Sequence, residues 1–107
     1  MREDASLNTR AIHAGAEHAR GAGAVTTPIF QSSTFLTDPA SASYEDVRYI
    51  RLNNTPNHKV LHARLAAMEG GEQALVAGSG MAAISTTLMT LLKAGDHLIA
   101  TDCLYGG

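Results

Sequence analysis

The run Gly78-Ser79-Gly80-Met81-Ala82-Ala83-Ile84 has the residue types to hold an anion on its backbone. It follows a short apolar stretch, Gln73-Ala74-Leu75-Val76-Ala77. It precedes a stretch in which Ile84, Leu88, Leu91 and Leu92 recur at helical spacing, on one face. A glycine-flanked turn that opens a helix aims unpaired N–H groups outward, and the helix dipole adds positive potential there. A phosphate fits such a place. The same residues also suit a plainer role, with Ser79 or Gly80 as a helix cap and Ala82-Ala83 as small residues for close packing. Local chemistry leaves both readings open. The run is not a Walker loop, because no Lys-Ser/Thr pair follows, and it lacks the third glycine of a dinucleotide fingerprint.

Other residues could do chemistry. Tyr49 and Arg51 fall on one side of an extended segment, since strand side chains alternate. A guanidinium fork beside a phenol suits a phosphate dianion, whereas a surface arginine next to a half-buried tyrosine is the bland alternative. His58 and His62 are spaced i, i+4 and could clamp a metal, but Lys59-Val60-Leu61 between them lacks the metalloprotease glutamate and adds a cation. No metal site is expected. His13 and His97 read as structural or exposed. Cys103 has no neighbouring cation to activate it and reads as a buried small residue. Asp96 and Asp102 suit turns or caps. Lys59 and Lys93, the only lysines, sit on expected helices in solvated settings.

The elements that must position these groups are few. Pro56 suits the first turn of a helix over about 57–69, with Asn54 or Thr55 as cap. Leu61, Leu65 and Met68 form its expected buried stripe, and Gly70-Gly71 its stop. A second helix runs about 80–93, with Gly95 after it. Short strands are expected at about 73–77 and 97–101, giving one βαβ unit with a right-handed crossover. Tyr105 then lies just past a strand's C-terminal end, where open α/β sheets take ligands. Its alternative is a terminal tyrosine that packs or dangles. Residues 1–55 have weak periodicity, yet Val25, Ile29, Phe30 and Phe35 give them apolar anchors, as in an extended arm laid on another surface. Residues 39–47 read as a loop or one helical turn.

Composition bounds the function. Eight Lys and Arg against ten Asp and Glu give a formal charge of −2, with no basic stripe for nucleic acid. No apolar run approaches the ~18 residues of a membrane span. The first thirty residues have no apolar signal core, and one cysteine cannot form an internal disulfide. A cytoplasmic location is expected. A two-stranded parallel pair has no independent stability, so the chain reads as a piece of something larger.

Five ordered blocks carry a resemblance. They are Ala11-Ile12-His13-Ala14-Gly15, Gly23 to Phe35, Tyr49 to Asn57, Leu65 to Gly71 with the Gly78–Ile84 run, and Ala94-Gly95-Asp96-His97 with Asp102 to Gly107. In this order and spacing the chain, from about Thr9 to Gly107, resembles the N-terminal part of the Cys/Met-metabolism (trans-sulfuration) family of pyridoxal-phosphate enzymes. Two positions depart from the family's usual reading. Ile50 replaces the serine of Tyr-Ser-Arg, and Asn54-Thr55-Pro56-Asn57 stands where Asn-Pro-Thr is frequent.

The resemblance implies an α/β fold, the start of an aspartate-aminotransferase-like large domain, with residues 1–55 as an arm contacting a neighbouring subunit and 56–107 as the beginning of the cofactor-binding domain. It implies pyridoxal 5'-phosphate as cofactor and a sulfur amino acid or activated homoserine as substrate. It also implies a homo-oligomer, a dimer of dimers in the complete enzyme. The matching Tyr49 and Arg51 would reach the cofactor phosphate of the adjacent subunit. Gly80 and Met81 would hold phosphate through their backbone, and Tyr105 would stack over the pyridine ring near the reacting carbons. The family's Schiff-base lysine lies in a Ser-x-x-Lys setting that Lys59 and Lys93 do not match. The chain alone is therefore expected to be inactive. The alternative is a non-enzymatic phosphate-ligand module or an inert truncated product.

Overall fold

The computed structural model describes residues 4–40 and 43–105, with Glu45 described by its backbone alone. Ser41 and Ala42, part of the expected 39–47 loop, and Gly106-Gly107, which end the last of the five blocks, lie outside the described residues. The remainder of that loop contains one 3-10 turn, Tyr44–Asp46. Packing divides the chain into two units, residues 1–76 and 77–107.

The first unit is built on two helices. Helix α1 spans Leu7–His13; its N-cap Ser6 accepts a hydrogen bond from the Thr9 amide at 3.3 Å. Helix α2 spans Pro56–Glu69, with Thr55 as N-cap and Pro56 in its first turn, where its missing N–H costs no intrahelical bond. Gly70, at φ +69°, ends it in the left-handed conformation that glycine adopts without Cβ strain.

Two arginines join these helices end to end. Arg10 of α1 donates to the Ala67 carbonyl in the last turn of α2, at 2.6 Å. Arg64 of α2 donates from Nε to the Ala14 carbonyl just beyond α1, at 3.2 Å, and from Nη2 to Thr27 Oγ1 at 2.6 Å. Each guanidinium thus meets a carbonyl that its helix end cannot satisfy internally, at the negative end of the dipole. Small residues let the backbones approach. A Cβ placed on Gly15 would lie 2.7 Å from Ala63 Cβ and 2.9 Å from the Val60 carbonyl oxygen. The buried apolar residues are accordingly Ala14, Ala16, Ala19, Val60 and Ala66.

This packing corrects two expectations. The first fifty-five residues are not extended throughout, because α1 forms and docks on α2 of its own chain. Beyond it the described residues of the segment form no α-helix, and Asn57 pins it by accepting from the Phe30 amide at 3.0 Å and donating to its carbonyl at 2.7 Å. The α2 face that faces the unit is that of Val60 and Ala66. The expected stripe of Leu61, Leu65 and Met68 stays exposed, since α1 approaches from the small-residue side.

The second unit contains helix α3, Gly80–Leu91, two residues shorter than expected. Ser79 caps it, accepting from the Ala82 amide at 3.1 Å. A turn follows in which the Asp96 carboxylate accepts from the Lys93 amide at 2.8 Å and the Asp96 amide donates to the Lys93 carbonyl. Gly95 takes φ +98° within that turn. Lys93 therefore sits in the turn, not on the helix.

The expected α/β character is met only in its helices: among the described residues no strand is formed, at 73–77, at 97–101 or elsewhere. A parallel pair gains stability from further strands and from helices over both faces. Leu75 and Ile99 are 72% and 97% exposed, so these apolar side chains of the two expected strands have no surface against them. Cys103 is likewise exposed, not buried.

Candidate cofactor-phosphate site

The site residues fall into two groups, one in each unit. In the first unit the chain turns sharply after Tyr49. Tyr49 itself is extended, at φ −150° and ψ 139°, and Ile50–Leu52 form a 3-10 turn closed by Asn53 in the left-handed conformation, at φ +56°. Asparagine tolerates that region better than most residues. The Asn53 side chain donates to the Val76 carbonyl at 2.7 Å. Asn54 reaches back across the turn. Its Oδ1 accepts from the Tyr49 amide at 2.9 Å and its Nδ2 donates to the Val47 carbonyl at 2.6 Å.

Tyr49 and Arg51 do come together, though not as neighbours on one edge of an extended strand. The 3-10 turn brings the Arg51 guanidinium carbon to 4.4 Å from the Tyr49 ring centroid. A cation over an aromatic face is held by the ring quadrupole and consumes no N–H donor. Arg51 is exposed and has no hydrogen-bond or ion-pair partner among the described residues.

In the second unit, Ser79, Gly80, Met81, Ile84, Leu104 and Tyr105 line one cavity of about 570 Å³, mostly apolar in its walls. The α3 N-terminus forms one side. Ser79 Oγ takes the Ala82 amide, and the Ser79 carbonyl takes the Ala83 amide at 3.0 Å. The Gly80 and Met81 amides lie ahead of the intrahelical ladder and have no acceptor among the described residues. The capping reading and the anion reading are therefore compatible, because they use different N–H groups. A Cβ on Gly80 would meet nothing within 4 Å, so the approach to its amide is open. Tyr105 is 90% exposed and faces the same cavity.

The histidines form a separate cluster. His58 and His62 rings stand 6.2 Å apart, tilted by 35°, and His58 Nδ1 pairs with Thr55 Oγ1 at 2.7 Å. Burial, then the charge of His58, lowers the His62 pKa, and His62 Nε2 is buried without a partner. No group of three or more metal-ligating side chains occurs among the described residues. No described helix is long and apolar enough to cross a membrane.

Sequence reasoning missed Asn53 and Asn54 as builders of the Tyr49–Arg51 turn. The signal was present in the Asn-Asn pair, since asparagine side chains mimic backbone turns and tolerate positive φ. Read from the sequence, Asn54 suits the cap of α2 instead.

The chain is similar to several known proteins. It is 46% identical to an L-methionine gamma-lyase of Fusobacterium nucleatum subsp. polymorphum, over 94% of this chain and 27% of that protein. It is 47% identical to an L-methionine gamma-lyase of Porphyromonas gingivalis, over 92% of this chain and 26% of that protein. It is 43% identical to a cystathionine gamma-synthase of Mycobacterium tuberculosis, over 92% of this chain and 25% of that protein. The chain thus spans about a quarter of the length of these relatives. No solved structure matches it. The family model for Cys/Met metabolism PLP-dependent enzymes matches residues 8–107. With that match running from α1 through the α3 N-terminus to the last residue, the chain belongs to the Cys/Met metabolism family of pyridoxal-phosphate-dependent enzymes.

Proposed function

We propose that this chain supplies the phosphate-binding end of the cofactor site in a full-length trans-sulfuration enzyme. That enzyme would eliminate from, or replace a group on, a sulfur amino acid or an activated homoserine. The observation that carries the reading is the cavity in which the uncommitted Gly80 and Met81 amides, an apolar wall and Tyr105 meet.

The residues fit pyridoxal 5'-phosphate. Two outward amides at the N-terminus of a twelve-residue helix suit a phosphate dianion. The apolar wall of Met81, Ile84 and Leu104 suits a flat heteroaromatic ring, and Tyr105 can lie over its face. When bound, the cofactor supplies an electron sink for carbanion chemistry, and the protein supplies position and electrostatics. Gly80 and Met81 would hold the phosphate through backbone N–H groups. Tyr105 would cover one ring face and exclude water from it. Tyr49 and Arg51 would close on the phosphate of the adjacent subunit, the guanidinium giving a two-pronged donor that a lysine cannot copy.

Neither lysine stands in the Ser-x-x-Lys setting of the family's anchoring lysine. Lys93 lies beyond the C-terminal end of α3, a helix about 18 Å long at 1.5 Å per residue, whereas the cavity is at its N-terminal end. The anchoring lysine, the partner of the pyridine nitrogen and the group that binds the substrate carboxylate would come from the rest of the full-length protein. In this reading residues 1–55 contact a neighbouring subunit of a homo-oligomer, and residues 56–107 begin an aspartate-aminotransferase-like large domain in the cytoplasm.

The test is turnover by the full-length protein loaded with pyridoxal phosphate, offered cystathionine, methionine and an O-acylhomoserine with a thiol. Release or capture of a sulfur compound from at least one is expected. No turnover of any of them by a fully loaded protein would overturn the reading.

A further inference from the structure

We infer that Asn54 is a positioning residue for cofactor phosphate: its carboxamide locks the 47–54 turn that presents Tyr49 and Arg51 as one phosphate-binding unit. This rests on the reading above, in which Tyr49 and Arg51 bind that phosphate.

Apart from the Asn53 tie to the Val76 carbonyl, the turn has few bonds to hold it. Its backbone bonds are the 3-10 pair, Leu52 amide to Tyr49 carbonyl at 2.9 Å and Asn53 amide to Ile50 carbonyl at 3.1 Å. Both bend the chain after Tyr49, and neither fixes Tyr49 to what precedes it. Hydrogen bonds in 3-10 turns have poorer geometry than those of an α-helix, and such runs stay short. Asn54 supplies the missing closure. One end of its carboxamide accepts from the Tyr49 amide, and the other donates to the Val47 carbonyl. The two bonds span the strand-like approach to Tyr49 from outside the turn. They set where the Tyr49 backbone sits, and the Arg51 guanidinium is carried on the Tyr49 ring, 4.4 Å from its centroid. Asn54 itself touches neither side chain's polar group, so it acts through the turn.

The chemistry demands an amide. The residue must accept at one atom and donate at the other. Aspartate keeps the acceptor for the Tyr49 amide and loses the donor to Val47. It also places a carboxylate opposite a carbonyl lone pair. Alanine loses both bonds. Asn53, by contrast, carries the positive φ of the turn and ties it to residue 76. The two adjacent asparagines therefore have separate roles, one bending the chain and one locking it.

The experiment measures binding of pyridoxal 5'-phosphate and of pyridoxal, which lacks the phosphate, to the full-length apoprotein. Wild type, Asn54→Ala, Asn54→Asp, Arg51→Ala with Tyr49→Phe, and that pair combined with Asn54→Ala are compared, each with its apoprotein melting temperature. Asn54→Ala should weaken pyridoxal 5'-phosphate by about 3- to 30-fold, from the loss of two neutral hydrogen bonds. Pyridoxal binding should stay unchanged, and Asn54→Asp should fall between wild type and alanine. In the Arg51→Ala, Tyr49→Phe background, Asn54→Ala should add nothing, because the groups it positions are gone. Wild-type phosphate affinity in that double variant would overturn the Tyr49–Arg51 reading and this inference with it. If the double variant is weakened while Asn54→Ala and Asn54→Asp bind as wild type, the positioning role alone is refuted. Equal weakening for both ligands, or the same loss in the double-variant background, would make Asn54 a general stabiliser and also refute it. Should Asn54→Ala fail to fold, Asn54→Asp decides by the same ligand comparison.

Discussion

The Arg51 guanidinium carbon lies 4.4 Å from the Tyr49 ring centroid, yet the two residues are not neighbours on an extended edge. Between them the backbone passes from φ −150° at Tyr49 into a 3-10 turn. Their contact depends on that turn. It holds a long, entropically costly side chain over an aromatic face while its N–H donors stay available. An arginine so placed loses less freedom when an anion arrives than one that moves freely.

Replacing Arg51 by alanine in the full-length protein should chiefly weaken cofactor binding. A hydrogen bond to a charged group is worth about 1.5–3 kcal/mol, which corresponds to about 10- to 150-fold in affinity. Lysine at the same position should restore charge but not the fork, and recover part of the loss. Titration of the apoprotein with pyridoxal 5'-phosphate measures both. An Arg51→Ala protein with unchanged affinity would remove Arg51 from the phosphate site.

The subunit to which Arg51 reaches can be settled by mixing. One parent carries Arg51→Ala and the other lacks the full-length protein's anchoring lysine. If Arg51 acts across a subunit boundary, a mixed dimer has one doubly damaged site and one intact site, and at limiting cofactor its activity exceeds that of either parent. If it acts within its own subunit, both sites stay damaged. Subunit exchange is followed by native mass, so absence of recovery with exchange complete would show a site made within one subunit.

Local signals were legible where a residue's own backbone chemistry decides the outcome. Pro56 starts α2 through its fixed φ, while Gly70 ends α2, Ser79 caps α3 and Asp96 closes its turn, each of these three by a bond within four residues. Long-range packing was not. Leu61, Leu65 and Met68 have the spacing of a buried stripe, but α1 packs on the side of Val60, Ala63 and Ala66, where Gly15 allows close approach. Helical periodicity identifies an apolar face and not the partner that covers it. Ile84 and Leu91 make the same point on α3, at 54% and 71% exposed. Strands at 73–77 and 97–101 fail for a related reason, since a sheet is a property of several segments together. Within the site, Tyr49 with Arg51, and Gly80, Met81 with Tyr105, meet as two separate groups, whereas the Asn54 clasp is visible only once the turn is known.

The chain by itself should not unfold cooperatively. Among the described residues the buried apolar core is four alanines and one valine, and a buried valine contributes only about 1.5–3 kcal/mol. Leu36, Ile99 and Met89 remain 101%, 97% and 81% exposed. Calorimetry on the isolated 107 residues should give a broad or absent transition. A sharp transition from a monodisperse monomer would contradict this.

Gly15 and Gly70 form a matched pair for the α1–α2 junction. Both have positive φ, +73° and +69°, so alanine at either carries a left-handed backbone cost of about 1–2 kcal/mol. At Gly70 the added Cβ meets nothing within 4 Å, and the cost should end there. At Gly15 it would meet Ala63 Cβ and the Val60 backbone, adding about 1–3 kcal/mol of overpacking. Denaturant unfolding of full-length variants should therefore rank Gly15→Ala well below Gly70→Ala. Equal losses would mean that the Gly15 turn after α1 does not pack against Ala63.

The His62 ring should make stability fall on the acid side. Its pKa is lowered in the folded chain, first by burial and then by the charge of His58, while the unfolded value is about 6.5. The unfolded state therefore takes up a proton at a higher pH than the folded state. The contribution of neutral His62 is fully present above about pH 6.5. It declines as pH falls from there through the lowered folded value, and is constant below it. Lys59, Glu72 and His18 line the same recess. His62→Gln keeps an uncharged polar side chain at all pH values and should flatten this part of the slope. Melting temperatures of the two full-length proteins, compared from pH 7.5 down to pH 5, provide the check. The difference between them should change with pH in that window and in the stated direction, with the glutamine variant losing less. Parallel curves would show that His62 is not held neutral by its surroundings.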